Sequence, residues 1–298
     1  MRTVTQVNRS QLDQFLKASL GGTLPPCPNV VGHELIPHDK RSMVNKSWCA
    51  EWARFELYWA SGQPQYRIFS KENRKLNFPN WSVLPIVTCP GAGACVGFCY
   101  SLKSWVHPGA FYRQLQNTLL LQSVAGRAHI AAEFMSLPAG PLRLYSDGDI
   151  DGTIAEDGIN VLQFWFNLLD QRRDILALGY SKSWGIFLDH NAQGLPFPTN
   201  YVLNLSSGSI YGDNIKARME ALPITRGTFE AHNIGVKIMP DRRTDRAAWL
   251  AYSRALKAKA GYQKSFVCPG RCYDCIPGGG IACGSARFKG IPILINVH

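Results

Sequence analysis

From about residue 82 onward, short runs of β-favouring apolar residues alternate with longer stretches whose apolar positions recur every three or four residues. The strand-like runs are 83–88, weakened by Pro85, then 142–146, 175–181, 201–205, 234–239 and the tail 291–297. Helical patterns cover roughly 110–136, 156–171, 213–221 and 244–260. Strands that alternate with helices predict parallel βαβ units with right-handed crossovers. The expected class is α/β: a partial (β/α) barrel, or a parallel sheet, with the partial barrel favoured. In both architectures functional groups collect at the C-terminal ends of the strands.

The first 80 residues follow a different pattern. Gly21-Gly22 and Pro25-Pro26 interrupt any early helix. Apolar runs at 54–59 and 66–69, separated by Ser61-Gly62-Gln63-Pro64, read as a β-hairpin. The organisation expected is an N-terminal β-containing extension over 1–80, an α/β core over 81–262, and a C-terminal cysteine-rich segment over 263–298 packed on that core. No apolar run reaches the length of a membrane span, and nothing after Met1-Arg2 resembles a secretory signal. A soluble cytoplasmic protein with no membrane partner is expected.

Composition sharpens this picture in two places. With 46% hydrophobic and 18% charged residues, a sizeable core is available. The formal charge of +11 suits a polyanionic partner such as nucleic acid, although acids dilute the densest basic stretch, from Asp241 to Arg246 and on to Arg254, Lys257 and Lys259.

Cysteine supplies the chemistry. Seven of nine cysteines fall in two short windows, leaving Cys27 and Cys49 isolated, and clustered thiols in a cytosolic chain point to metal before disulfides. Cys89, Cys95 and Cys99 follow the first strand with spacing C-x5-C-x3-C, and mostly small residues fill the gaps. Such a loop can wrap closely round a cluster and aim amides at its sulfurs. Three thiolates are one short of a structural zinc site and suit a [4Fe–4S] cluster with one iron open or served from elsewhere. Cys268, Cys272, Cys275 and Cys283, spaced C-x3-C-x2-C-x7-C, can complete a four-thiolate site of iron–sulfur or zinc type unaided. The windows either hold one centre each or share a single cluster.

Taken in order, Cys89-Pro90-Gly91-Ala92, Cys95, Cys99-Tyr100, Ser146-Asp147-Gly148-Asp149, Gly179-Tyr180-Ser181-Lys182 and the cysteine-rich end resemble the bacteriophage "gene product 88" family of phages and other mobile elements. The resemblance spans roughly 80–298 and implies a metal centre and a mobile-element origin, hence the cytoplasm of a bacterial host. Ser181 stands where that family usually has Thr. The chain is also similar, more loosely, to radical S-adenosylmethionine enzymes, which place a three-cysteine loop after the first strand of a partial barrel and a Gly-Gly-Glu-like element after the second. The position of Ser146–Asp149 implies S-adenosylmethionine as a cofactor, while the cysteine spacing departs from the usual C-x3-C-x2-C.

Beside the cysteines, Asp147 and Asp149 at one expected strand end, together with Asp151, are candidate acid–base groups, with a plain helix-capping turn as the other reading. Lys182 is a candidate anion ligand. Ser146, Gly148 and Tyr180 are candidate cofactor contacts. His190, His232 and His298 read as structural or exposed, and Trp81, Trp105, Trp165 and Trp184 as core or pocket walls. The function expected is an iron–sulfur protein with redox or radical chemistry. The alternative is a nucleic-acid-processing protein stapled by a cluster or zinc.

Overall fold

The computed structural model describes residue 18 and residues 41–70, 76–236, 238–276 and 279–296. The expected features around Gly21–Pro26, Cys27, Lys237, Pro277-Gly278, Val297 and His298 lie outside them.

Six strands, β1 (Gly140–Arg143), β2 (Ile175–Ser181), β3 (Tyr201–Ser206), β4 (Thr225–His232), β5 (Phe266–Val267) and β6 (Ile293–Asn296), form one all-parallel sheet in the order β1-β2-β3-β4-β6-β5. It curls into a half-barrel. Among the described residues there are seven α-helices: α1 (Arg41–Ser61), α2 (Pro108–Leu120), α3 (Val124–Met135), α4 (Val161–Gln171), α5 (Trp184–Ala192), α6 (Asp213–Glu220) and α7 (Arg246–Ala260). No helix is long and apolar enough to cross a membrane among these residues.

The strand at 175–181 lies where its apolar run predicts, and the one at 201–205 extends by a residue. Elsewhere the structure corrects the pattern. The run 83–88 is not a strand: Pro85 removes a ladder donor, and the chain turns over 85–88 with Ile86 at φ 75°. The extended segment lies just before it, at 79–83. There Trp81 N–H donates to the Arg143 carbonyl at 2.8 Å and Ser146 N–H donates to the Trp81 carbonyl at 2.8 Å, continuing the sheet beyond β1. The expected strand at 142–146 stops early because Tyr145, at φ 55°, leaves the β conformation.

The strand expected at 234–239 is really β4, several residues earlier. Its sequence, Thr-Arg-Gly-Thr-Phe-Glu-Ala-His, hides from a hydrophobicity reading because Thr225, Arg226, Thr228 and Glu230 are buried, with Thr225, Arg226 and Glu230 hydrogen-bonded. The helix pattern at 110–136 divides at 121–123, where Ser123 accepts the Gly126 amide and starts α3.

The hairpin expected at 54–69 is replaced by α1. Trp52, Phe55, Tyr58 and Trp59 recur with helical spacing, and Phe55 meets Tyr58 and Tyr112 at ring distances of 5.6 Å each. Ser61-Gly62 acts as the stop signal, with Gly62 N–H closing on the Tyr58 carbonyl. Residues 65–69 then follow α2 as an irregular strap. Gln116, fully buried, accepts the Gln65 and Tyr66 amides at 2.7 and 3.0 Å. Asn117, also fully buried, donates to the carbonyls of Ile68 and Ser82 at 2.9 and 3.0 Å. The segment before residue 80 thus shares the core of the sheet domain, with Phe55, Tyr66 and Phe69 packed alongside Trp81 and Trp165.

Replacing Asn117 by Leu is expected to leave both carbonyls without their donor and to cost roughly 2–4 kcal/mol. Urea unfolding of the purified variant measures it.

Candidate functional site

The first cysteine window lies across the C-terminal ends of β2 and β3, as the expected architecture requires. Gly93 N–H donates to the Gly208 carbonyl at 2.9 Å, and Ile210 N–H donates to the Gly91 carbonyl at 3.0 Å. Ser209 Oγ donates to the Lys182 carbonyl at 2.9 Å, so the loop and both strand ends form one hydrogen-bonded layer. Gly91 must be glycine: a Cβ there would lie 1.8 Å from the Lys182 carbonyl oxygen.

Beneath this loop lies the turn 146–149. Gly148 has φ 75°, and a Cβ on it would sit 2.4 Å from Val83 Cγ2 and 2.8 Å from Thr88 Oγ1. That contact seats the turn directly under the approach to Cys89. Its role is steric. Asp149 is buried, and both its oxygens are committed: one accepts the Ile150 amide at 2.8 Å, the other the Lys182 amide at 2.7 Å. Asp149 therefore ties the end of β1 to the end of β2. Burial pushes its carboxyl above the ordinary range, opposed by the Lys182 amide.

Asp147 is the half-buried member of the turn, and it accepts Ser82 Oγ at 3.2 Å and Gln114 Nε2 at 3.1 Å. Gln114 in turn accepts the Trp105 indole N–H at 2.7 Å. Burial raises the Asp147 carboxyl, while hydrogen bonds from Ser101 and Ser82 and the cations Arg143 and Arg113 lower it. Asp151 is spent on its own turn, accepting the Thr153 amide at 3.1 Å.

Cys89 has Cys99, Asp149 and Lys182 as electrostatic neighbours, and Cys99 has Cys95. The three thiols, Asp149 and Lys182 thus share one neighbourhood at the strand ends.

The second window occupies a different place. Among the described residues, 268–276 follow β5 and 279–292 lead into β6, with 282–284 packed on β2 and β3. Gly284 passes so close that an added Cβ would lie 2.6 Å from Leu178 Cδ2. Cys275 and Cys283 are buried with Ile293, and Cys268, Tyr180 and Phe229 pack against them. Cys283 is an electrostatic neighbour of Cys268, Cys272 and Cys275 alike. Burial pushes the Cys272 thiol up to about 12 and the Cys275 thiol up to about 11, so without a bound cation these are neutral thiols at pH 7.

Tyr180, grouped with Lys182 in the sequence reading, parts from it here. Alternation along β2 turns Tyr180 to the concave face, where its ring meets Phe229 edge-on at 4.9 Å and lies beneath Arg143 at 3.6 Å. Tyr180 packs with the second window, whereas Lys182 lies past Ser181, the last residue of β2, where the chain has left the strand and neighbours Cys89.

Sequence reasoning missed Arg143, Asn204 and Arg226. Asn204 Nδ2 donates to the Cys283 carbonyl at 3.1 Å, and Arg226 Nε donates to Asn204 Oδ1 at 2.7 Å. Arg226 also reaches the Phe288 carbonyl at 3.2 Å and the Thr228 carbonyl at 2.7 Å. The one available signal was an arginine alternating with leucines in 142–144.

Two of the three lone histidines lie among the described residues, and His298 does not. His190 Nε2 lies 3.0 Å from the Pro196 carbonyl between Phe166 and Phe197, and His232 pairs with Glu230 at 3.2 Å. Trp81, Trp105, Trp165 and Trp184 are buried. Cys49 is exposed.

The chain matches no protein-family model, no curated protein and no solved structure. The likeness to partial (β/α) barrels therefore rests on strand order and curvature alone. Among the described residues, no three Cys, His, Asp or Glu side chains close on a point as ligands of a single ion. A cubane cluster does not require that, because each thiolate takes a different iron.

The raised Asp147 carboxyl gives a pH test. Below the unfolded carboxylate value of about 4 both states are protonated and Asp147 contributes no difference. As pH rises the unfolded chain ionises first, so the wild type loses stability until pH passes the folded value. Asp147→Asn removes that loss, so its stability relative to wild type is expected to increase as pH rises above about 4 and to level off once the folded carboxyl has ionised. Urea unfolding of both proteins across that range checks the sign.

Proposed function

We propose that the protein is an iron–sulfur protein with two centres: one held by Cys89, Cys95 and Cys99 at the C-terminal ends of the strands, the other by Cys268, Cys272, Cys275 and Cys283 on the concave face. The observation that carries this reading is the grouping of the thiols. Cys89 neighbours Cys99 and Cys99 neighbours Cys95, while Cys268, Cys272 and Cys275 each neighbour Cys283, and the second window packs on the sheet with Tyr180 and Phe229 rather than at the strand ends. A single cluster shared between windows would need thiols from both on one surface.

The two sites suit different tasks. The first has three thiols, a loop braced by backbone hydrogen bonds, and Asp147 and Lys182 nearby. A [4Fe–4S] cluster held by three thiolates keeps one iron for a ligand and supplies electron transfer to it, which is the basis of redox or radical chemistry. S-adenosylmethionine is the ligand that the resemblance to radical enzymes implies. In the turn beneath the window Asp147 is the carboxylate with exposure enough to meet it, because Asp149 is spent on two amides. The second site has four thiols and buried surroundings, the character of an electron relay or a structural centre.

The mobile-element origin rests on the resemblance of residues 80–298 to the phage family. A nucleic-acid-processing role has only the net charge and exposed basic side chains such as Arg242, Arg243, Arg246 and Arg271 behind it.

Anaerobically purified protein is expected to contain iron and acid-labile sulfide, with broad visible absorption and an EPR signal on reduction. Cys95→Ala is expected to remove one share of the iron and Cys275→Ala the other. Zinc without sulfide would overturn the proposal. Loss of all iron in either variant would show one shared cluster.

A further inference from the structure

We infer that Arg143 and Arg226, from β1 and β4, are the built-in counter-charge of the metal centre held by Cys268, Cys272, Cys275 and Cys283, with Arg143 the residue that tunes it. The inference rests on the second window holding the cluster proposed above. An oxidised [4Fe–4S] core bound by four thiolates is left formally dianionic. Burying a dianion on the face of a sheet is prohibitive unless cations accompany it.

Two cations are in place. Arg226 is 3% exposed and fixed through Asn204 to the Cys283 carbonyl, by contacts of 2.7 and 3.1 Å. Its remaining bonds go to the carbonyls of Thr228, Phe288 and Ile291. Among its described contacts no carboxylate neutralises it. Arg143 is held differently: its guanidinium lies 3.6 Å over the Tyr180 ring, and that ring is itself wedged against Phe229 and the Cys275–Cys283 cluster. Both guanidiniums lie within electrostatic reach of Cys283, and Arg143 also within reach of Cys272. Arg143 has Asp147 as a neighbour on its other side, so it stands between the second window and the turn beneath the first.

Arg226 carries too many structural hydrogen bonds for a clean test. Arg143, partly exposed at the end of β1, is the informative position. In protein with Cys89, Cys95 and Cys99 all changed to Ser, only the second window can hold metal. There Arg143→Met, and Arg143→Gln as a second neutral replacement, are expected to speed loss of the bound metal to a chelator by about tenfold. They should also move the cluster's midpoint potential to more negative values, because the added electron loses a nearby cation. Arg143→Lys, which keeps the charge, is expected to restore most of both properties. Unchanged release and potential in the neutral variants would overturn the inference, and so would equal damage from Lys and Met, which would make the stacking on Tyr180 the relevant contact. If the Cys-to-Ser parent binds no metal at all, the two-centre proposal fails with it, an outcome distinct from a metal-loaded parent that ignores Arg143.

Discussion

Past the last ladder bond of each strand, the backbone amides and carbonyls of a parallel sheet lose their strand partners, and water or protein must answer them. In this protein the answer near the cysteines is protein. Asp149 takes the amides of Ile150 and Lys182, Ser209 gives its hydroxyl to the Lys182 carbonyl, and the backbone of the cysteine loop pairs with Gly208 and Ile210. The loop that presents Cys89, Cys95 and Cys99 is thereby a continuation of the sheet's own hydrogen bonding. Two close approaches, at Gly91 and Gly148, make the layer thin enough for this, and each excludes a side chain larger than hydrogen.

Backbone strain follows the same geography. Among the described residues, the three non-glycine residues with positive φ are Ile86, just before the first window, Tyr145, just before the 146–149 turn, and Tyr273, between Cys272 and Cys275. Strained residues persist where the surroundings over-determine them, and they concentrate at functional sites. Here each re-aims the chain within a few residues of a thiol or of Asp147. The strain at Tyr145 is held by its neighbours, since the Trp165 indole N–H donates to its hydroxyl at 3.0 Å.

The interior of the molecule is unusually polar for an α/β core, and the polarity is organised. One row runs along α2, where Gln114, Gln116, Asn117 and Thr118 are all buried and hold Asp147, the strap at 65–69, and the chain before Cys89. The other lies on the concave face, where Asn204 and Arg226 fasten the second window. Both rows give direction where apolar packing alone would leave loops free to slide, because a hydrogen bond is lost over a displacement that a hydrophobic contact tolerates.

Much of this was legible in the chain. The alternation of apolar runs with helical stretches gave a parallel α/β fold, and Ile175–Ser181 and Tyr201–Leu205 read as strands because apolar side chains dominate them. The two cysteine windows needed no structure to be noticed. What the chain concealed was concealed for physical reasons. The strand at 225–232 carries Arg, Thr, Glu and His whose burial depends on partners distant in sequence, and α1 borrowed the look of a hairpin from a dense row of aromatics. Sequence alone singled out the seven clustered thiols, since thiol spacing is a local property. Only the tertiary structure decided that the two windows lie on different surfaces, that Asp149 is a knot while Asp147 keeps some exposure, and that Tyr180 and Lys182, two residues apart, serve different sites. The first two follow from which surface a segment packs on and what stands opposite, and the third from where β2 ends, since Lys182 lies just past Ser181; all are settled by the packing of the sheet and its loops, not by neighbours along the chain.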